Sequence, residues 1–298
     1  MKFGVAVPNY GENLTAEAMV AVAREAEALG FDSVWVTDHI LMQRSSGTPY
    51  ERIFESLTAL SYLAGATERV VLGVSALIIA MRNPVIAAKQ LATVDALSGG
   101  RLALAIGAGW NEKEFSSVGS DFGDRGRRED ESIRIVRELF EGITSFRGAR
   151  TRIEFRNVVF EPHPTHKVPI WIGGNSPSAM KRASTLGDAW HPNLTPLEDF
   201  VRLVSEFRRL QGAEKRPIHV RIGLNAKSST GEYVSAQGDR RILLSADQES
   251  NRLIMQTLEE LRIDGIVVAT SPTGKATLEE QLEGLRMIRE RFMPPSTA

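Results

Sequence analysis

The sequence predicts an α/β fold of the (β/α)8 TIM-barrel class, and three observations carry that reading. Short apolar, β-branched runs alternate with amphipathic helical patterns eight times along 298 residues. A chain of this length suits a single α/β barrel, which typically needs roughly 250 residues. Polar and glycine-rich residues follow strands one to six alike, whereas a doubly wound sheet gathers them at one switch point.

Taken in order, Phe3 to Val7 is strand one, ahead of Pro8. Thr15 caps the helix that follows, Leu14 is placed to pack on Met19, and Gly30 ends the stripe. Ser33 to Thr37 is strand two and delivers Asp38 and His39 at its C-terminal end; Phe54 to Thr67 supplies the second helix. Val70 to Val74 is strand three and runs into Ser75 and Ala76. Pro84 opens a helix in which Val85, Ala88, Leu91, Ala92 and Val94 recur near the 3.6 period, until Gly99 and Gly100 stop it. Leu102 to Ile106 is strand four and breaks into Gly107, Ala108, Gly109 and Trp110. Strands three and four thus form a βαβ unit whose ends point the same way.

After a polar loop at Ser116 to Gly126, Ile133, Val136, Leu139, Phe140 and Ile143 mark the fourth helix. Thr151 to Val168 is β-branched, aromatic and broken by prolines, and reads as an excursion. Pro169 to Ile172 is strand five, ending in Gly173, Gly174, Asn175 and Ser176 before a helix that starts at Pro177. Strands six, seven and eight are Asp188 to His191, Ile218 to Leu224 and Gly265 to Ala269; their helices are Pro196 to Leu210, Asp247 to Leu261 and Leu278 to Phe292. Asn225 to Ala246 is polar and long enough to be a lid or insertion. The expectation is one domain over 1–298, with insertions near 149–168 and 225–246.

Composition narrows the function classes. Basic and acidic residues number 36 and 37, a net charge of -1, so nothing draws the whole molecule to nucleic acid or a membrane surface and any anion site must be local. No run approaches the roughly 18 apolar residues of a membrane span, and the first residues lack the apolar core of a secretory signal; a cytoplasmic protein is expected. The absence of cysteine excludes disulfides, thiolate catalysis and Cys-ligated metals.

The candidate chemistry lies at the strand ends. Gly107 to Trp110 and Gly173 to Ser176 stand where backbone amides can cradle a phosphate, although glycines there also serve as plain turn residues. Neither a Walker motif nor the dinucleotide fingerprint is present. Asp38 and His39 put a carboxylate and an imidazole side by side: either a proton-transfer site or a hydrogen-bonded structural pair. Ser75 and Ala76 read as a bulge or turn. His163, His166, His191 and His219 show no ligand spacing with His39, so no metal site is expected. Glu112 and Glu114 suit a helix start, Trp110 suits a core, and Arg82 reads as surface charge at a helix entry. A lyase or aldolase is disfavoured because Lys89 and Lys181 fall on helices.

The segments PNYG, VTDHI, LGVSALIIAMRNPVIAAKQLATVDALSGGRLALAIGAGWNEKEF and VPIWIGGNSPSAMKRASTLGDAWHP together resemble the bacterial luciferase-like flavin oxidoreductase superfamily, in particular its branch using the deazaflavin coenzyme F420. The resemblance covers Met1 to about Pro196. It implies a (β/α)8 barrel with the cofactor at the C-terminal mouth. A bulge after strand three with a non-proline cis peptide, here Ser75-Ala76, would back the ring, and Gly107, Ala108, Gly109, Trp110, Gly173, Gly174, Asn175 and Ser176 would hold the phosphate side. Asp38 matches a ring-contacting position and His39 a catalytic one.

One departure is Trp110, which stands where some deazaflavin-dependent dehydrogenases carry a glutamate and so speaks against a sugar-phosphate dehydrogenase mechanism. The activity implied is hydride transfer between F420 and a small organic substrate. The alternatives are an FMN-dependent two-component monooxygenase fed by a flavin reductase, and a catalytically silent flavin-binding protein. The resemblance also implies a homodimer through helices two and three. Loops Gln43 to Arg52 and Asn225 to Ala246 are expected to choose the substrate.

Overall fold

The computed structural model describes residues 1–44 and 46–294; Ser45, inside the expected substrate loop, and the last four residues of the expected domain lie outside the described residues. In chain order the elements are β1 (Lys2–Ala6), α1 (Ala16–Ala28), β2 (Ser33–Val36), α2 (Ser56–Ala66), β3 (Val71–Leu77), α3 (Pro84–Ser98), β4 (Leu102–Ile106), α4 (Glu112–Ser117), α5 (Arg125–Phe140), β5 (Phe146–Arg147), β6 (Glu154–Phe155), β7 (Ile170–Gly173), α6 (Pro177–Thr185), β8 (Ala189–His191), α7 (Leu197–Arg208), β9 (His219–Leu224), β10 (Glu232–Val234), β11 (Arg240–Leu244), α8 (Gln248–Glu260), β12 (Gly265–Ala269) and α9 (Leu278–Phe292).

Local chemistry sets the helix ends. Thr15 Oγ1 accepts from the Ala18 amide at 3.0 Å, and Thr277 with Glu280 closes a capping box on α9. Asn83 caps α3 ahead of Pro84, and Gly99 ends it in the left-handed conformation.

The strands form one curled sheet in the order β10-β11-β9-β12-β1-β2-β3-β4-β7-β8, parallel throughout except for the antiparallel β10. Past β8, parallel bridges pair Trp190 with Ile218 and Asn193 with Arg221. The Trp190 amide donates to Pro217 O at 2.9 Å and the Arg221 amide to Pro192 O at 2.8 Å, so the β8 edge of the sheet meets β9. All eight strands read from the sequence lie in this sheet.

Alternation along each strand divides the core in two. Leu102, Leu104 and Ile106 of β4 pack outward with the helices, in one apolar cluster with residues such as Val5, Leu60, Leu91 and Val220. Ala103 and Ala105 face inward, with Ala6, Val267 and Ala269, around Trp35. The Trp35 ring lies 4.6 Å from that of Trp171, and Trp171 stacks on His219 at 3.9 Å. Two indoles among mostly small side chains fill the interior.

The structure departs from the sequence reading in three places. Residues 116–126 are not all loop: α4 reaches Ser117 and α5 begins at Arg125, eight residues before its first apolar position, because its early turns carry charged side chains and show no apolar period. The excursion before strand five contains the β5-β6 hairpin, and the polar segment after strand seven contains β10 and β11. No helix among the described residues is long and apolar enough to cross a membrane.

A Cβ on Gly73 would lie 2.3 Å from Trp35 ring atoms. Gly73→Ala is therefore expected to destabilise the fold by about 1–3 kcal/mol through overpacking, read as a lower midpoint in urea unfolding, whereas Gly65→Ala, with nothing within 4 Å of the added carbon, should not.

Candidate active site

The C-terminal ends of the strands surround a cavity of about 480 Å³. Its walls include the residues expected from the sequence to bind or act on a cofactor: Asp38 and His39 after β2, Ser75 and Ala76 on β3, Gly107 to Trp110 after β4, and Gly173 to Ser176, from the end of β7 onward. Strand pairing explains the convergence, since β2, β3, β4 and β7 are consecutive neighbours.

Their side chains differ in what they can do. His39 is buried, and its Nδ1 donates to Glu114 Oε2 at 2.8 Å. Glu114 Oε1 also accepts the amides of Ile40 and Leu41, which fixes the carboxylate. The imidazole is stacked on Tyr50 at 4.5 Å and meets Trp110 edge-on at 5.7 Å. With Nδ1 committed to the carboxylate, Nε2 is the nitrogen left for a ligand. Asp38 behaves otherwise: Oδ1 accepts from Ser56 Oγ at 2.7 Å and Arg82 Nη2 at 2.5 Å, and Oδ2 from the Ile78 amide at 2.8 Å. Its carboxylate anchors the strand ends, and Arg82, read from sequence as surface charge, is a half-buried ion-pair partner held between Asp38 and Glu55.

The cavity floor is a polar relay. The pairing of β3 with β4 shifts register between Val74 and Leu77, and the Ser75–Ala76 peptide is cis. Arg221 Nη1 donates to Ser75 O and, at 2.9 Å, to Ser75 Oγ, while Nη2 donates to Thr37 Oγ1 at 3.0 Å. Ser75 Oγ in turn lies 2.8 Å from His191 Nε2, and His191 Nδ1 lies 2.5 Å from His219 O. A carbonyl only accepts, so Nδ1 carries the proton and Nε2 accepts from the serine. Burial, reinforced by the Arg221 charge, pushes the His191 pKa down to about 3 despite the bond to the carbonyl, so the ring is neutral at pH 7.

Above Ala76 the walls have no side chains. A Cβ on Gly107 or on Gly173 would each lie 3.2 Å from the Ala76 methyl, so these glycines keep the strand ends open. Gly109 and Gly174 hold φ of +77° and +114°, left-handed turns that favour glycine. Ser176 caps α6, accepting from the Ala179 amide at 3.2 Å, so this helix start also faces the cavity. Arg125, Arg182, Arg221 and Arg241 line the walls, a local positive field in a chain of net charge -1. Arg182 is already engaged by Glu129 at 3.1 Å and by Asp130. Among the described residues no group of three His, Asp or Glu side chains is gathered to hold a metal.

Sequence reasoning missed Glu114, Tyr50, His191 and the four arginines. For two of them a signal existed. In His219–Leu224, Val220, Ile222 and Leu224 alternate with His219, Arg221 and Gly223, which puts a cation on the inward face; His191 follows Trp190 on β8 by the same rule. Glu114 and Tyr50 come from loops and short helices, where no period betrays direction.

A cavity lined by four arginines at the C-terminal ends of a curled, mostly parallel sheet, with an imidazole held by a buried carboxylate, is the arrangement of an enzyme site in an α/β fold. Residues 1–236 match the family described as luciferase-like monooxygenase, and the chain belongs to that family, whose members are F420- or flavin-dependent oxidoreductases. It is 34% identical over 179 residues to the F420-dependent glucose-6-phosphate dehydrogenase of Amycolatopsis mediterranei, covering 58% of this chain and 52% of that one. It is 30% identical over 241 residues to the FMNH(2)-dependent dimethylsulfone monooxygenase of Pseudomonas fluorescens, covering 76% of this chain and 64% of that one. An F420-dependent secondary alcohol dehydrogenase in complex with an F420-acetone adduct shares the fold, with a TM-score of 0.76 at 18% identity over 97% of both chains.

The neutral His191 makes stability depend on pH. Its folded pKa lies below the ordinary value of 6.5, so the unfolded chain binds the extra proton first, and stability falls as pH drops from about 6.5 toward 3. His219, pushed down to about 4 by burial, adds to the slope. Urea unfolding of His191→Gln should show a shallower loss of stability over that window than the parent; an identical slope would contradict the assignment.

Proposed function

We propose that this protein is an F420-dependent oxidoreductase that transfers a hydride between the deazaflavin and a small organic substrate. The observation that carries the reading is the single cavity in which the open ends of β4 and β7, the Ala76 methyl and the His39–Glu114 pair face one another. The residues fit such a group. The glycine walls leave space that any Cβ would narrow, Ala76 and Ser75 form a flat backing, and Arg125 with the turns at Gly109 and Gly174 suits a phosphate. Bound there, a deazaflavin supplies two-electron hydride chemistry with little reaction toward oxygen.

The chain's own residues do the rest. His39 Nε2 gives or takes the proton on the substrate's oxygen, and Glu114 balances the charge that arrives on the imidazole. Tyr50, stacked on the imidazole, and Trp110, against it edge-on, hold the ring and exclude water. Asp38, Ser75, Ala76, Gly107, Ala108, Gly109, Trp110, Gly173, Gly174, Asn175 and Ser176, all lining the cavity, would hold the cofactor, with the Asp38 carboxylate itself engaged by Ser56, Ile78 and Arg82. The curled sheet is read as a closed (β/α)8 barrel in one domain, on the support of the bridges from β8 to β9.

A second reading, an FMN-dependent two-component monooxygenase served by a flavin reductase, is favoured by the relative of that class that matches over more of the chain. Titration of the purified protein with F420 and with FMN, followed by quenching of tryptophan fluorescence, separates the two. Tighter binding of F420 is expected; quenching by FMN alone selects the second reading, and quenching by neither removes both. With the preferred cofactor bound, His39→Ala should lower turnover by about 10²-fold or more while leaving the cofactor dissociation constant in place. The same reading includes a homodimer through α2 and α3, on which Tyr62, Ile86 and Leu97 are exposed. Light scattering should give twice the chain mass, and Ile86→Asp with Leu97→Asp should halve it; a monomeric parent protein would refute the dimer.

A further inference from the structure

The four arginines of the cavity are not equivalent. Arg182 is neutralised by Glu129 and Asp130. Arg125 donates to Gly109 O and Phe122 O, and so belongs with the glycine turns already assigned to a phosphate. The other two gather on a different arc of the sheet, on β9 and its partner β11. Arg221 is half-buried and donates to neutral oxygens of Thr37 and Ser75, with the Tyr10 hydroxyl as a further neutral partner; among the described residues no carboxylate pairs with it. Arg241 reaches Asn193 Oδ1 at 2.9 Å and Gln237 Oε1 at 3.3 Å, and its acidic neighbour, Asp239 at 3.5 Å, is 56% exposed on the same hairpin. Tyr50, whose ring stacks on His39, feels the charge of both arginines, which oppose the upward push of burial on its hydroxyl.

Half-buried cations facing a cavity without a firm counter-ion favour an anion that enters it. We infer that the substrate of this site is a small organic oxyanion, a carboxylate or sulfonate, held by Arg241 and Arg221 on the His39 side of the cavity, with Asn193, which accepts from Arg241 and is bonded to Asn175, as the boundary with the phosphate side. Asp239 is a stand-in that the ligand displaces. The word substrate rests on the oxidoreductase reading; the anion site does not.

The test uses the full chain without added cofactor and reads tryptophan fluorescence during titration with benzoate, benzenesulfonate, neutral benzamide and inorganic phosphate. Benzoate or benzenesulfonate should bind at least tenfold more tightly than benzamide, and whichever is tighter names the acid group. Arg241→Gln should weaken that probe tenfold or more and spare phosphate, whereas Arg125→Gln should do the reverse. Asp239→Asn, a surface change that leaves the fold intact, should tighten the organic anion severalfold. Equal binding of benzoate, benzenesulfonate and benzamide overturns the inference. So does parallel loss of organic anion and phosphate in both arginine variants, which would mean one common anion site, or an Asp239→Asn protein with unaltered affinity. Failure of F420 and FMN to bind, with the anion results intact, would sink the cofactor reading and leave this one standing.

Discussion

Two indole rings decide where this protein can have a site. Trp35 and Trp171 meet inside the curled sheet, 4.6 Å apart, and the positions packed with them are mostly small: Ala6, Ala103, Ala105 and Ala269 beside Val267, with Gly73 where even a methyl would strike the Trp35 ring. Trp171 in turn stacks on His219, so the rings pack the interior of the sheet. The cavity lies at the C-terminal ends of the strands, and the inward residues there become floor rather than filling. Ser75, His191 and Arg221 are those residues.

The floor is held together because none of its groups can be satisfied alone. An inward-facing arginine on β9 needs acceptors, and it finds them across the interior on β2 and β3. The serine that accepts from it must donate onward, and the histidine that receives that proton can do so only while neutral. The three strand ends are fixed relative to one another by this chain of bonds. A second anchor lies outside it, where Arg82 ties Asp38 to Glu55 and so pins the end of β2 to the start of α2.

The repeating parts of the molecule were legible in the sequence, and the parts that act at a distance were not. The eight strands and their helices announce themselves because each buries one face and so carries a period; Leu102 to Ile106 and Pro84 to Gly99 need nothing else. The glycine turns were visible because glycine marks unusual backbone wherever it stands. Glu114 is different. It sits two residues into a six-residue helix with nothing local to distinguish it from Glu112, and its meaning comes from His39, 75 positions earlier. Arg82 was misjudged for the same reason, since its partners Asp38 and Glu55 come from other elements. Arg221 is the opposite case: its place in the alternation of His219–Leu224 puts a charge inside.

The two histidines of the cavity show how environment assigns roles to one side chain. His191 has a carbonyl on one nitrogen, a serine hydroxyl on the other and a guanidinium nearby, all arranged for an uncharged ring, so it can fix geometry but has no room for a second proton. His39 has a buried carboxylate on Nδ1, at 2.8 Å, and aromatic rings beside it, which leaves Nε2 as its uncommitted nitrogen. The first is committed on both nitrogens and the second on one. Both stand at the ends of strands that differ by a few residues in sequence pattern, and the division between them follows from one placement: the arginine enters from β9 beneath His191, while the glutamate enters from α4 beside His39.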